Sequence, residues 1–168
     1  TANRAEVHVQ SILANTEKAN GKVILETQIV DKENRTVARK EQQVTLDNKE
    51  KTEVGHTLEV ASPQLWSTDN PYLYKVVNRL LQDNKIIDEE CISIGIRNIA
   101  FSAENGFQLN GKSMKLKGGC IHHDNGMLGA VSLYDAEYRK ISTLKKIGFN
   151  AVRTTHNPPS AALMEVCD

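Results

Sequence analysis

Two periodicities divide the chain. From Ala5 to about Ile96, apolar and polar residues alternate in short runs, the pattern of half-buried strands. In "AEVHVQSIL", Val7, Val9 and Ser11 fall on one side and His8 and Gln10 on the other. "GKVILETQIVD" is rich in β-branched residues and ends in the polar turn "DKENRT". "TVARKEQQVTL" sets Val37 and Val44 among charges, as in an edge strand guarded by them. "EKTEVGHTLEV" follows, then the loop "ASPQLWSTDNP", where Pro63 and Pro71 exclude a central strand. "YLYKVVNRLLQ" and "IIDEECISIGI", joined by the turn "DNK", complete the set. Short strands at regular spacing, with no helical stretch, predict an immunoglobulin-like β-sandwich over residues 1–97. The Cys–Trp–Cys pattern of antibody domains is missing, so only the architecture carries over.

After Gly106 the period changes. Residues 98–113 read as a junction and a hairpin, with the turn at Asn110-Gly111. An apolar strand from Met114 to Ile121 follows. "DAEYRKISTLKKIGFN" then repeats at helical spacing, with Tyr138, Ile141, Leu144 and Ile147 on one face. Asp135 and Glu137 suit its positive end, Lys145 and Lys146 its negative end, and Gly148 a left-handed cap. "NAVRTTHN" is short and β-branched. A second helix, "PSAALMEVCD", is expected to start with proline in its first turn. The order over 114–168 is β-α-β-α, the beginning of a (β/α)8 barrel or an open parallel sheet. Two strands and two helices cannot bury a closed core, so the chain is expected to be a truncated piece of a longer protein.

Composition narrows the function classes. The chain has 168 residues with 21 basic and 21 acidic side chains. This balance gives no electrostatic footprint for nucleic acid or an anionic membrane. No apolar run approaches the roughly 20 residues of a membrane span. Cys91, Cys120 and Cys167 are widely spaced and fit neither a disulfide framework nor a metal knuckle. They are expected to be buried free thiols.

Candidate chemistry sits where the two barrel-type strands end, the place where parallel βα folds carry function. "HHDNG" follows the first strand and "RTTHN" ends the second. His122, His123, Asp124, Arg153, His156 and Asn157 are therefore expected along one rim. A metal site fits poorly, because adjacent histidines on a strand point apart and no ligand spacing is met. A serine triad lacks its strained elbow. A Cys120 nucleophile would lie inside the strand, where a small buried hydrophobe is the plainer reading. Sugar hydroxyls, each donor and acceptor, match neutral His, Asp and Asn, and an Arg nearby can keep a carboxylate ionised. The plain alternative is that these are loop polars capping the next helix, a reading strongest for Asn125 and Asn157.

At this point the chain resembles a known family. "GFQLNGKSMKLKGGCIHHDNGMLGA", "LKKIGFNAVRTTHNPPS" and "LMEVCD" resemble the opening of the catalytic barrel of glycoside hydrolase family 2. "LWSTDNPYLYKV" and "GIRNIAF" resemble that family's immunoglobulin-like domain and domain junction. The wording of "CIHHDNGMLGA" with "RTTHNPPS" is most similar to bacterial β-galactosidase-type members. The resemblance implies sugar contacts for His122 and His156, and a place beneath the sugar for Arg153. Asp124 falls where glucuronidase-type members carry a sugar-contacting aspartate, and Asn157 joins the expected substrate-binding set. His123 is assigned no contact.

The family's two catalytic glutamates, acid/base and nucleophile, come from later barrel strands. They are expected to lie beyond Asp168, so no catalytic residue is expected in this piece. Glu104, Glu137 and Glu165 do not stand at barrel strand ends. No cofactor is expected here, while a divalent cation belongs to the family's barrel outside this sequence. The expected parent is a retaining exo-glycosidase acting on terminal β-galactosides, soluble, in a bacterial cytoplasm or periplasm. Its partner is a small-molecule carbohydrate, and a homo-oligomer is compatible with the resemblance. The alternatives are a β-glucuronidase or β-mannosidase, or a non-catalytic carbohydrate-binding or interaction sandwich. Trp66, Tyr72 and Tyr74 would favour such a module if exposed and coplanar, but a buried corner anchor is the plainer reading. A phosphate-binding α/β domain ranks last, with no glycine loop to hold the phosphate.

Overall fold

The structure, a computed structural model, describes residues 3–15, 21–46 and 51–168. The chain divides into two compact units, residues 1–66 with 72–96, and residues 67–71 with 97–168.

The first unit is a sandwich of two antiparallel sheets. Strands β1 (Arg4–Ala14) and β4 (Lys51–Ala61) pair along their full lengths, Arg4 opposite Ala61 and Ala14 opposite Lys51. The second sheet has the order β3 (Thr36–Leu46), β2 (Gly21–Val30), β5 (Tyr74–Gln82), β6 (Lys85–Ile94). Alternation places Leu13, Val23, Leu25, Val44 and Val54 in one buried cluster. Ile29, Leu58, Val60, Tyr74 and Val76 form a second. Each fully buried aliphatic of this kind contributes about 1.5–3 kcal/mol. The "TVARKEQQVTL" segment is an edge strand, as its charges predict.

Polar groups also order the sandwich. Inside, the Thr27 hydroxyl donates to Asn78 Oδ1 at 2.7 Å, and Asn78 Nδ2 donates to Ser11 at 3.3 Å. His56 Nδ1 lies 2.9 Å from Thr27 Oγ1. Because Thr27 spends its proton on Asn78, Nδ1 must carry the imidazole proton. Nε2 is then a buried acceptor with no partner among the described residues. On the outer face, Arg39, Glu26, Arg79 and Glu89 form a line of alternating charge across all four strands. Glu26 is buried beneath its two arginines. Burial raises its carboxyl, but the hydrogen bonds and charge of Arg39, joined by Arg79, hold it below the ordinary value.

The tyrosines settle the aromatic cluster. Tyr74 is buried and its hydroxyl accepts the Gln64 N–H at 2.8 Å. Tyr72 and Tyr74 are tilted by 56°, so they form a corner anchor and not a flat platform. Trp66 packs over Gly95 so closely that a Cβ there would meet the indole at 2.8 Å.

The second unit opens with a three-stranded antiparallel sheet, β7 (Ile99–Ser102), β8 (Gly106–Leu109) and β9 (Lys112–Ser113). Asn110 and Gly111, at φ 53° and 76°, make the tight turn their sequence predicts. Next comes β10 (Gly118–Ile121), parallel to β11 (Ala151–Thr154). Helices α1 (Tyr134–Lys146) and α2 (Ala161–Cys167) follow these two strands in turn. Gly148, at φ 98°, ends the first helical segment in the left-handed region, as expected.

Several expectations need correction. The strand expected from Met114 begins only at Gly118. The side chain of Asn150 takes the Lys117 N–H and donates to the Lys115 carbonyl, so it occupies the backbone groups a strand would use. In α1 the buried residue is Glu137, while Tyr138 and Ile147 are exposed. Two helices on two strands do not cover that apolar stripe. The prolines precede α2, whose cap is Ser160, its hydroxyl accepting the Leu163 N–H at 3.0 Å. All three cysteines are free, but they are exposed and not buried. Cys91 lies on the open edge strand β6, Cys167 at the end of α2, and Cys120 on the uncovered face of a two-stranded sheet.

Candidate active site

Strands β10 and β11 run side by side in one direction, so their C-terminal ends deliver both polar runs to one edge. Cys120 is paired with Arg153 and Ile121 with Thr154. In a strand pair, partners share a face. Arg153 and Cys120 therefore project from the same face, and both are exposed. Ile121, Val152 and Thr154 are partly buried. Phe149 lies within 3.9 Å of where a Cβ on Gly119 would stand.

Beyond the strands the chain is held by Thr155. Its N–H donates to the Ile121 carbonyl at 3.0 Å, continuing the ladder by one residue. Its hydroxyl lies 3.3 Å from His122 Nε2. The Thr155–His156 peptide is cis. The rings of His122 and His156 meet edge to face, with centroids 5.8 Å apart. Both histidines are exposed, while Thr155 between them is buried. Two imidazoles are thus presented to solvent on a fixed seat.

The remaining expected residues stand differently. Asp124 closes a tight turn: its N–H donates to the His122 carbonyl at 2.8 Å, and its Oδ1 accepts the Gly126 N–H at 2.9 Å. Its carboxylate is committed in part to the loop. Arg153 and Asn157 are exposed, and the contacts of the histidine pair run to Thr155 and to each other instead. His123 is partly buried. The last residue, Asp168, closes α2. It is exposed at the C-terminal cap of α2, where its N–H donates to the Met164 carbonyl at 3.2 Å. No group of three His, Cys, Asp or Glu side chains able to hold a metal ion exists among the described residues.

Sequence reasoning missed a buried carboxylate that bonds to the loop after β10. Glu137 is 1% exposed. Its Oε1 accepts from Asn125 Nδ2 at 2.9 Å and from the Ser132 hydroxyl at 2.8 Å. Lys140 Nζ lies 2.9 Å from its Oε2. Burial works to raise this carboxyl; the bonds from Asn125, Lys140 and Ser132 and the Lys140 charge override it, and the net shift is downward. Asn125 uses its second N–H on the Val131 carbonyl at 3.0 Å and accepts from Lys140 at 3.0 Å, whereas Glu137 Oε2 has the Lys140 ion pair and no further hydrogen-bond partner among the described residues. Asn125 does not cap the next helix as the plain reading has it: the cap position of α1 is Leu133, and the Asn125 side chain closes no cap on the short turn that follows it. A glutamate one turn into a helix carries no signal of burial in sequence, so nothing in the pattern singles it out.

Comparison with known proteins accords with this architecture. The family model described as Glycosyl hydrolases family 2 matches residues 1–97, and that of the same family's TIM barrel domain matches residues 102–168. A solved family 2 member from Bacteroides cellulosilyticus superposes with a TM-score of 0.97 at 79% identity, over 99% of this chain and 23% of its own. The β-galactosidase BoGH2A of Bacteroides ovatus is 34% identical over 98% of this chain and 19% of its own length. A β-glucuronidase of Formosa agariphila is 31% identical over 98% of this chain and 17% of its own. The chain thus spans about a fifth of the length of the proteins it matches. It belongs to glycosyl hydrolases family 2, and comprises the family's immunoglobulin-like domain followed by the start of its TIM barrel.

Proposed function

We propose that the chain is part of a retaining exo-glycosidase that removes terminal β-galactosides, and that it supplies one arc of the sugar-binding rim. The observation that carries this reading is the meeting of His122 and His156, exposed and 5.8 Å apart, at the ends of adjacent parallel strands. Neutral imidazoles offer one donor and one acceptor each, which suits the hydroxyls of a pyranose. Arg153, on the second of these strands, supplies a fixed positive charge on the open face. Asp124 and Asn157 complete the proposed contacts.

In the intact enzyme, one carboxylic acid protonates the glycosidic oxygen while a second carboxylate, roughly 5–5.5 Å away, attacks the anomeric carbon. Positive charge then spreads over the ring. Hydrogen bonds from His122 and His156 that tighten at this moment lower the barrier more than they tighten substrate binding. The chain by itself contributes binding groups without the reacting carboxylates, so it is inactive. A chromogenic galactoside assay on the 168-residue chain tests this, with a blank as the expected result and any turnover above background as the contrary one.

Relatives named β-glucuronidase match as fully as those named β-galactosidase, and this favours one second reading, a β-glucuronide substrate. Paired measurements of kcat/KM on a nitrophenyl β-galactoside and a nitrophenyl β-glucuronide, with the intact enzyme, decide between them.

A further inference from the structure

We infer that Glu137 is a positioning residue, whose buried carboxylate holds the loops carrying His122 and His156 in fixed relation through Asn125 and Ser132. The inference rests on the reading of those histidines as sugar contacts. Glu137 acts on them only through the residues that bind it.

The hydrogen bonds form one directed chain. Leu163 N–H donates to Ser160 Oγ at 3.0 Å. Ser160 and Ser132 hydroxyls are 2.6 Å apart, and Ser132 donates to Glu137 Oε1 at 2.8 Å. Since Ser132 spends its proton on the carboxylate, Ser160 must donate to Ser132. Each hydroxyl in the chain is therefore fixed in direction. Ser160 ends the loop that begins at His156, and Ser132 lies near the end of the loop that begins at His122. Glu137 joins them from the first turn of α1. Asn125, held by the same oxygen, fixes the middle of the first loop, where its N–H also donates to the Gly129 carbonyl at 2.9 Å.

A buried carboxylate is costly unless its bonds are satisfied, and a network of this kind rigidifies when it is complete. Here the acceptor is single and central, and two loops depend on it. A solvated glutamate at the same helix position would serve the helix end equally well. Its burial between the loops is what the helix does not require.

The test uses the intact enzyme containing this chain. Glu137→Ala, referred to the folded fraction, should lower kcat by about tenfold or more while KM changes by less than about threefold, since misplaced groups lose most in the transition state. Glu137→Gln, which keeps an acceptor for Asn125 and Ser132, should restore part of the loss. In a background lacking both imidazoles, His122→Ala with His156→Ala, the Glu137→Ala effect should shrink to less than about twofold, because both groups being positioned are already gone. A merely structural role predicts the same fold-loss in both backgrounds. If Glu137→Ala does not fold, Ser132→Ala, which removes the hydroxyl bridging Glu137 and Ser160 and leaves Asn125 on the carboxylate, should show the same dependence on the two histidines. Equal losses in both backgrounds, or wild-type kcat in the folded variants, overturn the inference. Wild-type kinetics in His156→Ala itself overturn the sugar-contact reading, and the positioning role falls with it.

Discussion

A Cβ placed on Gly118 would overlap the carbonyl oxygen of Ala151, its partner in the parallel pair. The obstacle is backbone, so no side-chain rotation relieves it. Gly118→Ala should push β10 from β11 and lower stability by more than about 2 kcal/mol. Gly119→Ala is the control, since its Cβ would meet only the Phe149 ring at 3.9 Å. Thermal unfolding of the two variants should differ clearly, and similar melting curves would contradict the argument.

His156→Ala in the intact enzyme should lower kcat/KM by well over about tenfold, the scale of losing one contact that strengthens in the transition state. Steady-state kinetics on a chromogenic galactoside measure it. Unchanged kinetics would remove His156 from the site.

His56 should make the sandwich acid-sensitive. Burial, aided by the Lys40 charge, holds its imidazole below the ordinary value of 6.5. As pH falls through that value, the unfolded chain takes up a proton that the folded chain refuses. Stability from this group is therefore complete above 6.5 and lost progressively below it, down to the depressed folded value. Urea midpoints at about pH 7.5 and about pH 5.5 should differ less in His56→Phe than in the wild type. An identical difference in both would remove His56 as the cause.

Glu26→Ala should cost about 1–3 kcal/mol, since it leaves Arg39 and Arg79 without the carboxylate they share. The folded carboxyl is held below 4.5, so this stability is present above that value and fades as pH falls through the depressed one. Denaturation at neutral pH and in mild acid should show the gap between variant and wild type narrowing in acid.

Much of this architecture is legible in the sequence, because period two and period 3.6 are distinct signals. Val54, Leu58 and Val60 alternate into the core as their pattern requires, and Asn110-Gly111 turns as its composition requires. The strand-end placement of His122 and His156 follows from the β-α-β order alone. Their ring contact does not, because it depends on Thr155 tying one strand end to the other. The misses share a cause. Glu137 and His56 are polar residues whose burial is compensated by specific hydrogen-bond partners, which a pattern of apolar and polar positions does not name. The exposed cysteines reverse an average tendency of the thiol, which says nothing of the faces left uncovered on β6 and β10.

Strand β6 leaves its outer margin open, and every residue from Lys85 to Ser93 is exposed. Ile86, Ile87 and Ile92 on that margin would invite a second molecule to add its own copy of the strand. Asp88, Glu89 and Glu90 stand at its centre, so a self-pairing would bring acid against acid. Within the sheet, Arg79 answers the charge of Glu89 in part. The same run of carboxylates that makes this strand look unremarkable thus sets like charges against each other in any such pairing.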